Sequence, residues 1–241
     1  MRPVEKKKPG DIVEYTTSMN ETVAHMIKAQ YKPYGDAKDP LAANIGAFCS
    51  YCEEPRALAD IHIDHVEPKS KEGALYDWGN FLLACNMCNS CKKDADVDLE
   101  RTHFPHRDNT YMDFIYDDSG RVTVNPALPE EEYEKAENLY NLVKMGRDPF
   151  GEEATSNRDF RWRTRFQTWN IAKKYLGKYE AGKSDLDDIL ELVKGYGHWS
   201  IWFTVFKGHD EVRKALIENT PGTCAACFDA GNHYEPMHRK A

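Results

Sequence analysis

The sequence predicts an α+β protein, mostly helical, in which a short strand–loop–strand–helix segment precedes a long helical C-terminal region. Three observations predict it. Two Cys-x-x-Cys units, Cys49-Ser50-Tyr51-Cys52 and Cys85-Asn86-Met87-Cys88, bracket residues that alternate in polarity. Within that stretch, Ile61-His62-Ile63-Asp64-His65-Val66 has the two-residue period of a half-buried strand. Beyond Pro129 the apolar residues recur at helical spacing.

The elements follow in order. The first eight residues are basic and expected to be extended. From Glu21 to Gln30, Val23, Met26 and Ile27 fall at helical spacing, which predicts a helix. Tyr31 to Pro40 is rich in Pro, Gly and Asp and reads as a loop. A short approach over Leu41 to Phe48 leads to the first cysteine pair. Pro68 ends the first strand, Asn80-Phe81-Leu82-Leu83-Ala84 is the second, and Asn86 is a good N-cap for a following helix. Tyr111 to Tyr116 and Arg121 to Val124 flank Asp117-Asp118-Ser119-Gly120 and predict a hairpin. Helices are expected over 130–145, 159–179, 184–194 and 210–218, with an aromatic-rich segment over 196–206. Ser184 and Asp187 resemble a capping box. The expected organisation is an N-terminal extension over 1–44 with a short helix, a knuckle-bearing core over 45–100, and a hairpin with a helical region over 101–241.

The composition, 41% hydrophobic and 30% charged over 241 residues, suits a soluble protein with a sizeable core. No apolar run approaches the roughly 18 residues that span a bilayer, and the basic N-terminus lacks a signal peptide's apolar stretch. A cytoplasmic location and no membrane partner are therefore expected. Seven cysteines, an odd number, argue against a full disulfide framework, and paired Cys-x-x-Cys units in a reducing compartment suggest a metal. The net charge of −8 weighs against a binder of nucleic acid that relies on its own surface. Local lysines and arginines, a divalent cation or a partner subunit can supply the missing positive charge.

The two knuckles offer Cys49, Cys52, Cys85 and Cys88 to one tetrahedral Zn²⁺. A closed four-thiolate site is structural rather than catalytic. The alternative is four reduced, buried cysteines. Cys91 is off the knuckle spacing and reads as a free thiol.

Asp64, His65 and Asn80 lie between the knuckles, and Asn89 and Lys92 follow the second. Together, Cys49-x-x-Cys52, Asp64-His65, Asn80 and Cys85-x-x-Cys88-Asn89-x-x-Lys92 resemble the zinc-containing HNH endonucleases, with their ββα-metal fold. Asn89 in the third motif position makes this similar to the HNN variant. Hydrolysis of a phosphodiester needs a base for the attacking water and a cation for the developing charge. Neutral histidine titrates in the right range, and carboxylate and amide oxygens suit Mg²⁺ or Mn²⁺. The resemblance implies His65 as general base, Asp64 and Asn89 as ligands of the catalytic cation, Asn80 as the residue orienting the base's loop, and Lys92 at the substrate phosphate. Other readings stand beside these. His62 shares a strand face with Asp64 and is the rival base, Asn80 reads also as a turn residue, and Asn89 as a helix cap. His103 and His106 read as loop packing or substrate contacts.

A narrower resemblance rests on Met1-Arg2-Pro3-Val4-Glu5-Lys6, Cys49-Ser50-Tyr51-Cys52-Glu53, Trp78-Gly79-Asn80-Phe81-Leu82-Leu83-Ala84-Cys85, Asp108-Asn109-Thr110, Trp199-Ser200-Ile201-Trp202 and Pro221-Gly222-Thr223. These look like the nuclease subunits (PtuB) of Septu antiphage defence systems. Several such relatives carry Glu-His where this chain has Asp64-His65, and either carboxylate can bind metal. The resemblance implies an ATPase partner, PtuA, and a nucleic-acid target, DNA ahead of RNA.

In the C-terminal half, Arg161, Arg163 and Arg165 alternate around Trp162, which suits either phosphate contact or a salt-bridged helix face. Trp199, Trp202, Phe203 and Phe206 form an aromatic stripe, read as core with a partner interface as the alternative. Cys224 and Cys227, with His233 and His238 downstream, have the chemistry of a second zinc site. Against the nuclease reading stands a zinc-knuckle module that binds nucleic acid or protein without cutting, or a subunit whose site is vestigial.

Overall fold

The structure is a computed structural model, and it describes residues 1–17, 19–69, 74–149 and 159–239. Among those residues the β structure is four separate antiparallel pairs. The first joins β1 (Ile12–Thr16) to β2 (Thr22–Met26). Helix α1 (Lys38–Ile45) leads to the first cysteine pair. The second joins β3 (Ile61–His65) to β4 (Phe81–Cys85), with Ile61 opposite Cys85 and His65 opposite Phe81. Helix α2 (Asn86–Lys92) follows β4 directly and packs on both of its strands. Strand, loop, strand and helix therefore occur in the expected order.

One helical turn, α3 (Thr110–Asp113), precedes the hairpin of β5 (Phe114–Tyr116) and β6 (Val122–Val124). Asn109 causes that turn, because its side-chain oxygen accepts from the Tyr111 amide at 3.3 Å and draws 110–113 out of the expected strand. The helical region comprises α4 (Glu130–Leu142), α5 (Arg161–Glu180), α6 (Leu186–Tyr196), α7 (Trp199–Val205) and α8 (Asp210–Asn219). A last small pair, β7 (Phe228–Asp229) and β8 (Glu235–Pro236), closes the chain. No described helix is long and apolar enough to cross a membrane.

Three local expectations are corrected. Residues 22–26 form a strand rather than a helix: Val23 and His25 face inward opposite Tyr15 and Val13, while Met26 is 61% exposed. A five-residue apolar run fits both periods, and the pairing with β1 decides between them. The capping box of α6 is Asp185 with Asp188, one residue beyond the expected pair. Asn86 is not the cap of α2; the Cys85 side chain takes that place and accepts from the Cys88 amide at 3.4 Å.

Short α7 is the centre of the helical region. Trp202, Phe203 and Phe206 are fully buried and Trp199 nearly so. The Trp199 and Phe203 rings stack at 4.6 Å, and Phe228 lies 4.8 Å from Phe203. The aromatic stripe is therefore core, and its burial removes it as a partner surface.

Glu53 joins this region to the first knuckle. It sits at φ 65° and is 4% exposed. Its carboxylate accepts from the Ser200 hydroxyl at 2.7 Å and the Ser200 amide at 3.2 Å, and its carbonyl accepts from the His198 amide at 2.9 Å. Gly197 permits the approach, since at φ 66° a Cβ there would lie 2.3 Å from the Glu53 carbonyl oxygen. The N-terminal segment ties down the other side, with the Arg2 guanidinium donating to the carbonyls of Ile45 and Pro221 at 2.6 and 2.7 Å.

Burial has a consequence for acid stability. His198 and His106 are both pushed down to about 3, in each case chiefly by desolvation. Between there and the usual histidine value the unfolded chain binds protons that the native state refuses. Native stability is thus full above pH ~6.5 and falls with acidification, by about 1.4 kcal/mol per pH unit for each histidine. Denaturant melts at successive pH values should show this slope, and His198→Asn, which tolerates the left-handed backbone, should reduce it by about one proton.

Candidate functional site

The first knuckle is a tight turn after Phe48, closed by the Glu53 amide on the Cys49 carbonyl at 2.9 Å. The Ser50 amide donates to the Leu83 carbonyl at 2.7 Å and so pins this turn to β4. The second knuckle is the junction of β4 and α2, which supplies Cys85 and Cys88. All four cysteines are buried, and their sulfurs lie within 4.8 Å of one another. The Cys52 and Cys85 sulfurs are 3.7 Å apart. A tetrahedron with Zn–S bonds of about 2.3 Å has edges of about 3.8 Å. The donor set therefore fits zinc.

The electrostatics point the same way. Hydrogen bonding to Cys49 and the other two sulfurs holds Cys85 far below the usual thiol value, while it pushes Cys52 well above. Left to themselves, four crowded thiols do not all ionise; a divalent cation lets all four act as thiolates.

The charge of such a centre is balanced by a residue that sequence reasoning placed elsewhere. Arg161, at the start of α5, is 2% exposed. It donates to the Cys88 sulfur at 3.3 Å, to the Val143 and Lys144 carbonyls at 2.8 Å each, and to Asp159 through two bonds at 2.8 and 2.9 Å. Arg165 is buried too and donates to the Gly120 carbonyl at 2.9 Å. Of the arginine face proposed for phosphate, only Arg163 is exposed. The pairing of Arg161 with Cys88 spans 73 residues, and no local pattern carries it.

Asp64 and His65 are successive residues at the end of β3 and leave the strand on opposite faces. The Asp64 carboxylate faces α2. It accepts from the Tyr51 hydroxyl at 2.5 Å, and the Lys92 ammonium lies 3.3 Å away. Burial pushes Asp64 up, and Lys92 and Tyr51 offset this in part. Lys92 was expected at the substrate phosphate. Its ammonium is instead 1% exposed and also donates to the His65 carbonyl at 2.5 Å, so it would have to leave Asp64 to reach a phosphate.

The His65 ring lies edge-on to Tyr34 and Phe81, at 5.0 and 5.1 Å. Its Nε2 is 3.0 Å from the Leu75 carbonyl oxygen. A carbonyl only accepts, so Nε2 carries the proton and Nδ1 keeps a lone pair. Nδ1 is buried and, among the described residues, makes no hydrogen bond. Desolvation holds the ring below the usual histidine value, which favours the neutral form.

Asn80 stitches the segment that follows His65. Its oxygen accepts from the Glu67 amide at 2.7 Å, and its nitrogen donates to the Glu67 and Ala74 carbonyls at 3.0 Å each. Ala74 adjoins Leu75, whose carbonyl holds His65, so Asn80 acts on the carbonyl anchor of the His65 ring. Asn80→Ala is expected to cost about 1–3 kcal/mol by leaving these buried groups unpaired, measurable by denaturant unfolding.

Asn89 lies in the second turn of α2, half-buried, three residues before Lys92 on the same helical face. Among the described residues its side-chain amide makes no hydrogen bond, and the Cys85 cap leaves it no capping role. The structure thus brings Asp64 and Lys92 together at the β3–α2 interface, with Asn89 one turn before Lys92 on α2 and the His65 ring across the strand. His62 is exposed on the Asp64 face, and among the described residues no group orients it. His103 is held by Asp113 at 3.0 Å and His106 packs on Phe104, so both belong to loop packing. Cys91 lies outside the sulfur cluster. Cys224 and Cys227 are buried, but among the described residues they join no metal-binding group, and His233 pairs with Asp210 at 2.7 Å.

The sequence model of one family, described as HNH endonuclease, matches residues 49–95, about a fifth of the chain. This span holds both knuckles, β3, β4 and α2. No curated protein matches the chain.

Proposed function

We propose that the HNH endonuclease domain at residues 49–95 makes this protein a metal-dependent nuclease that hydrolyses phosphodiester bonds of nucleic acid, DNA ahead of RNA, with His65 as its general base. The observation that carries the reading is the His65 imidazole: anchored through Nε2 on the Leu75 carbonyl, neutral, with a buried and unclaimed Nδ1 lone pair. That is the state a base needs before it takes a proton from water.

Asp64 and Asn89 supply two oxygen donors on the α2 side, a set suited to Mg²⁺ or Mn²⁺. When bound, such a cation would stabilise charge on the phosphate and the leaving oxygen. Tyr51 orients the Asp64 carboxylate, and Lys92 balances its charge. Asn80 keeps the loop of Leu75 in place so that the ring of His65 does not turn. The four-sulfur zinc holds the first knuckle, the hairpin and α2 in one register; it takes no part in the chemistry.

The wider setting follows the sequence resemblance: a cytoplasmic nuclease subunit of a Septu-type antiphage complex, working with an ATPase of the PtuA kind. A partner surface would supply positive charge that this chain, at −8, lacks. The test is nicking of supercoiled plasmid by the purified chain, alone and with the ATPase, in Mg²⁺, Mn²⁺ or chelator. Metal-dependent conversion to open-circle DNA is expected. Inert plasmid and inert structured RNA under every condition, with zinc bound, would overturn the reading.

A further inference from the structure

We infer that the groove between β3 and α2 seats the substrate strand beside the scissile phosphate, holding its backbone through Arg56, His62, Asn86 and Ser90. This rests on the nuclease reading and extends it from the reacting atoms to the neighbouring nucleotides.

The groove is open, has a volume of about 750 Å³, and is lined by these four residues with Asp60 and Met87. The elements that build the site also build the groove. β3 contributes His62, two residues before Asp64 on the same face, thus about 7 Å from it. That distance is about two nucleotides of axial rise. α2 contributes Asn86 and Ser90, one turn apart, flanking Asn89 on the exposed side of the helix. The loop before β3 contributes Arg56.

The lining chemistry selects a phosphodiester backbone. The chain carries a net charge of −8, so a polyanion needs a locally favourable seat. Here a guanidinium, an imidazole, an amide and a hydroxyl converge, against one carboxylate, Asp60. All four are exposed and not consumed by the core. Arg56 gives one guanidinium nitrogen to the buried Glu54 carboxylate, but its side chain is 41% exposed and lines the groove, so a guanidinium with five N–H donors keeps others for phosphate. Groups of this kind contact phosphate and position a strand without reading its sequence.

The test uses the full chain carrying His65→Ala, so that binding is measured without cutting. Fluorescence anisotropy with a labelled DNA duplex is followed over a salt series. Added Ser90→Glu should weaken binding about tenfold. Added Arg56→Gln should lower the slope of log K against log salt by about one, and Arg56→Lys should restore it. Thermal melting should be unchanged for Ser90→Glu and Arg56→Lys; Arg56→Gln, which leaves the buried Glu54 without its cation, is compared at a temperature where circular dichroism shows it folded. Groove variants that bind as tightly as their parent, with the same slope, overturn the inference while leaving the nuclease reading intact. A parent that neither binds nor, with His65 restored, cuts overturns both.

Discussion

Changing His65 to alanine is expected to leave a folded, zinc-loaded protein that cuts nucleic acid about 10²–10⁴-fold more slowly. The ring fills a slot between Tyr34 and Phe81, but its hydrogen bond goes to the Leu75 carbonyl, whose neighbour Ala74 is held independently by Asn80. The fold therefore survives the loss of the imidazole, while the proton acceptor does not. The wild-type pH profile should agree. The proposed base works in its deprotonated form, and desolvation holds the His65 ring below the usual histidine value of 6.5. Cleavage should accordingly be level above neutral pH and fall only as the pH drops through a value below 6.5. Single-turnover rates on plasmid for the two proteins, with zinc content measured in parallel, check the prediction. Equal rates would remove His65 from the reaction and turn attention to His62.

Removing the zinc is expected to have the largest effect on stability. Cys85 ends β4, caps α2 and supplies one of four sulfurs, so Cys85→Ser disturbs strand, helix and metal together. Structural zinc contributes an apparent ~10–16 kcal/mol in small metal-dependent folds. A whole domain has only about 5–15 kcal/mol in hand. Cys85→Ser, or exhaustive chelation of the native protein, should thus abolish the cooperative thermal transition of the hairpin and α2. Cys91→Ser is the control: Cys91 is half-buried outside the cluster and should keep zinc and melting temperature. Elemental analysis with circular-dichroism melts decides the matter, and a zinc-free Cys85→Ser protein melting like wild type would refute it.

Sequence reading reached some of this and missed the rest for identifiable reasons. Strands β3 and β4, helix α2 and the four sulfurs were legible because alternation, spacing and thiol chemistry all act within a few residues of each motif. Helices α4, α5, α6 and α8 were legible through their apolar period, with ends displaced by at most three residues. The β1–β2 hairpin was not, since Val23, Met26 and Ile27 satisfy the helical period and only their cross-strand partners tell otherwise. Asn86 looked like the cap of α2, but cysteine sulfur, seldom considered as an acceptor, holds that place. The meetings of Lys92 with His65, Arg161 with Cys88 and Glu53 with Ser200 were illegible in kind: each spans 27 or more residues, and no periodicity encodes it.

Those long-range meetings decide what could be transplanted. Residues 49–95 look like a cassette, but two of its parts are completed from outside. The Cys88 sulfur is completed by Arg161, and the Glu53 carboxylate by Ser200. Cut free or grafted into another scaffold, the segment would carry an unbalanced tetrathiolate and a stranded carboxylate, and a designer would have to import a guanidinium and a hydroxyl along with it.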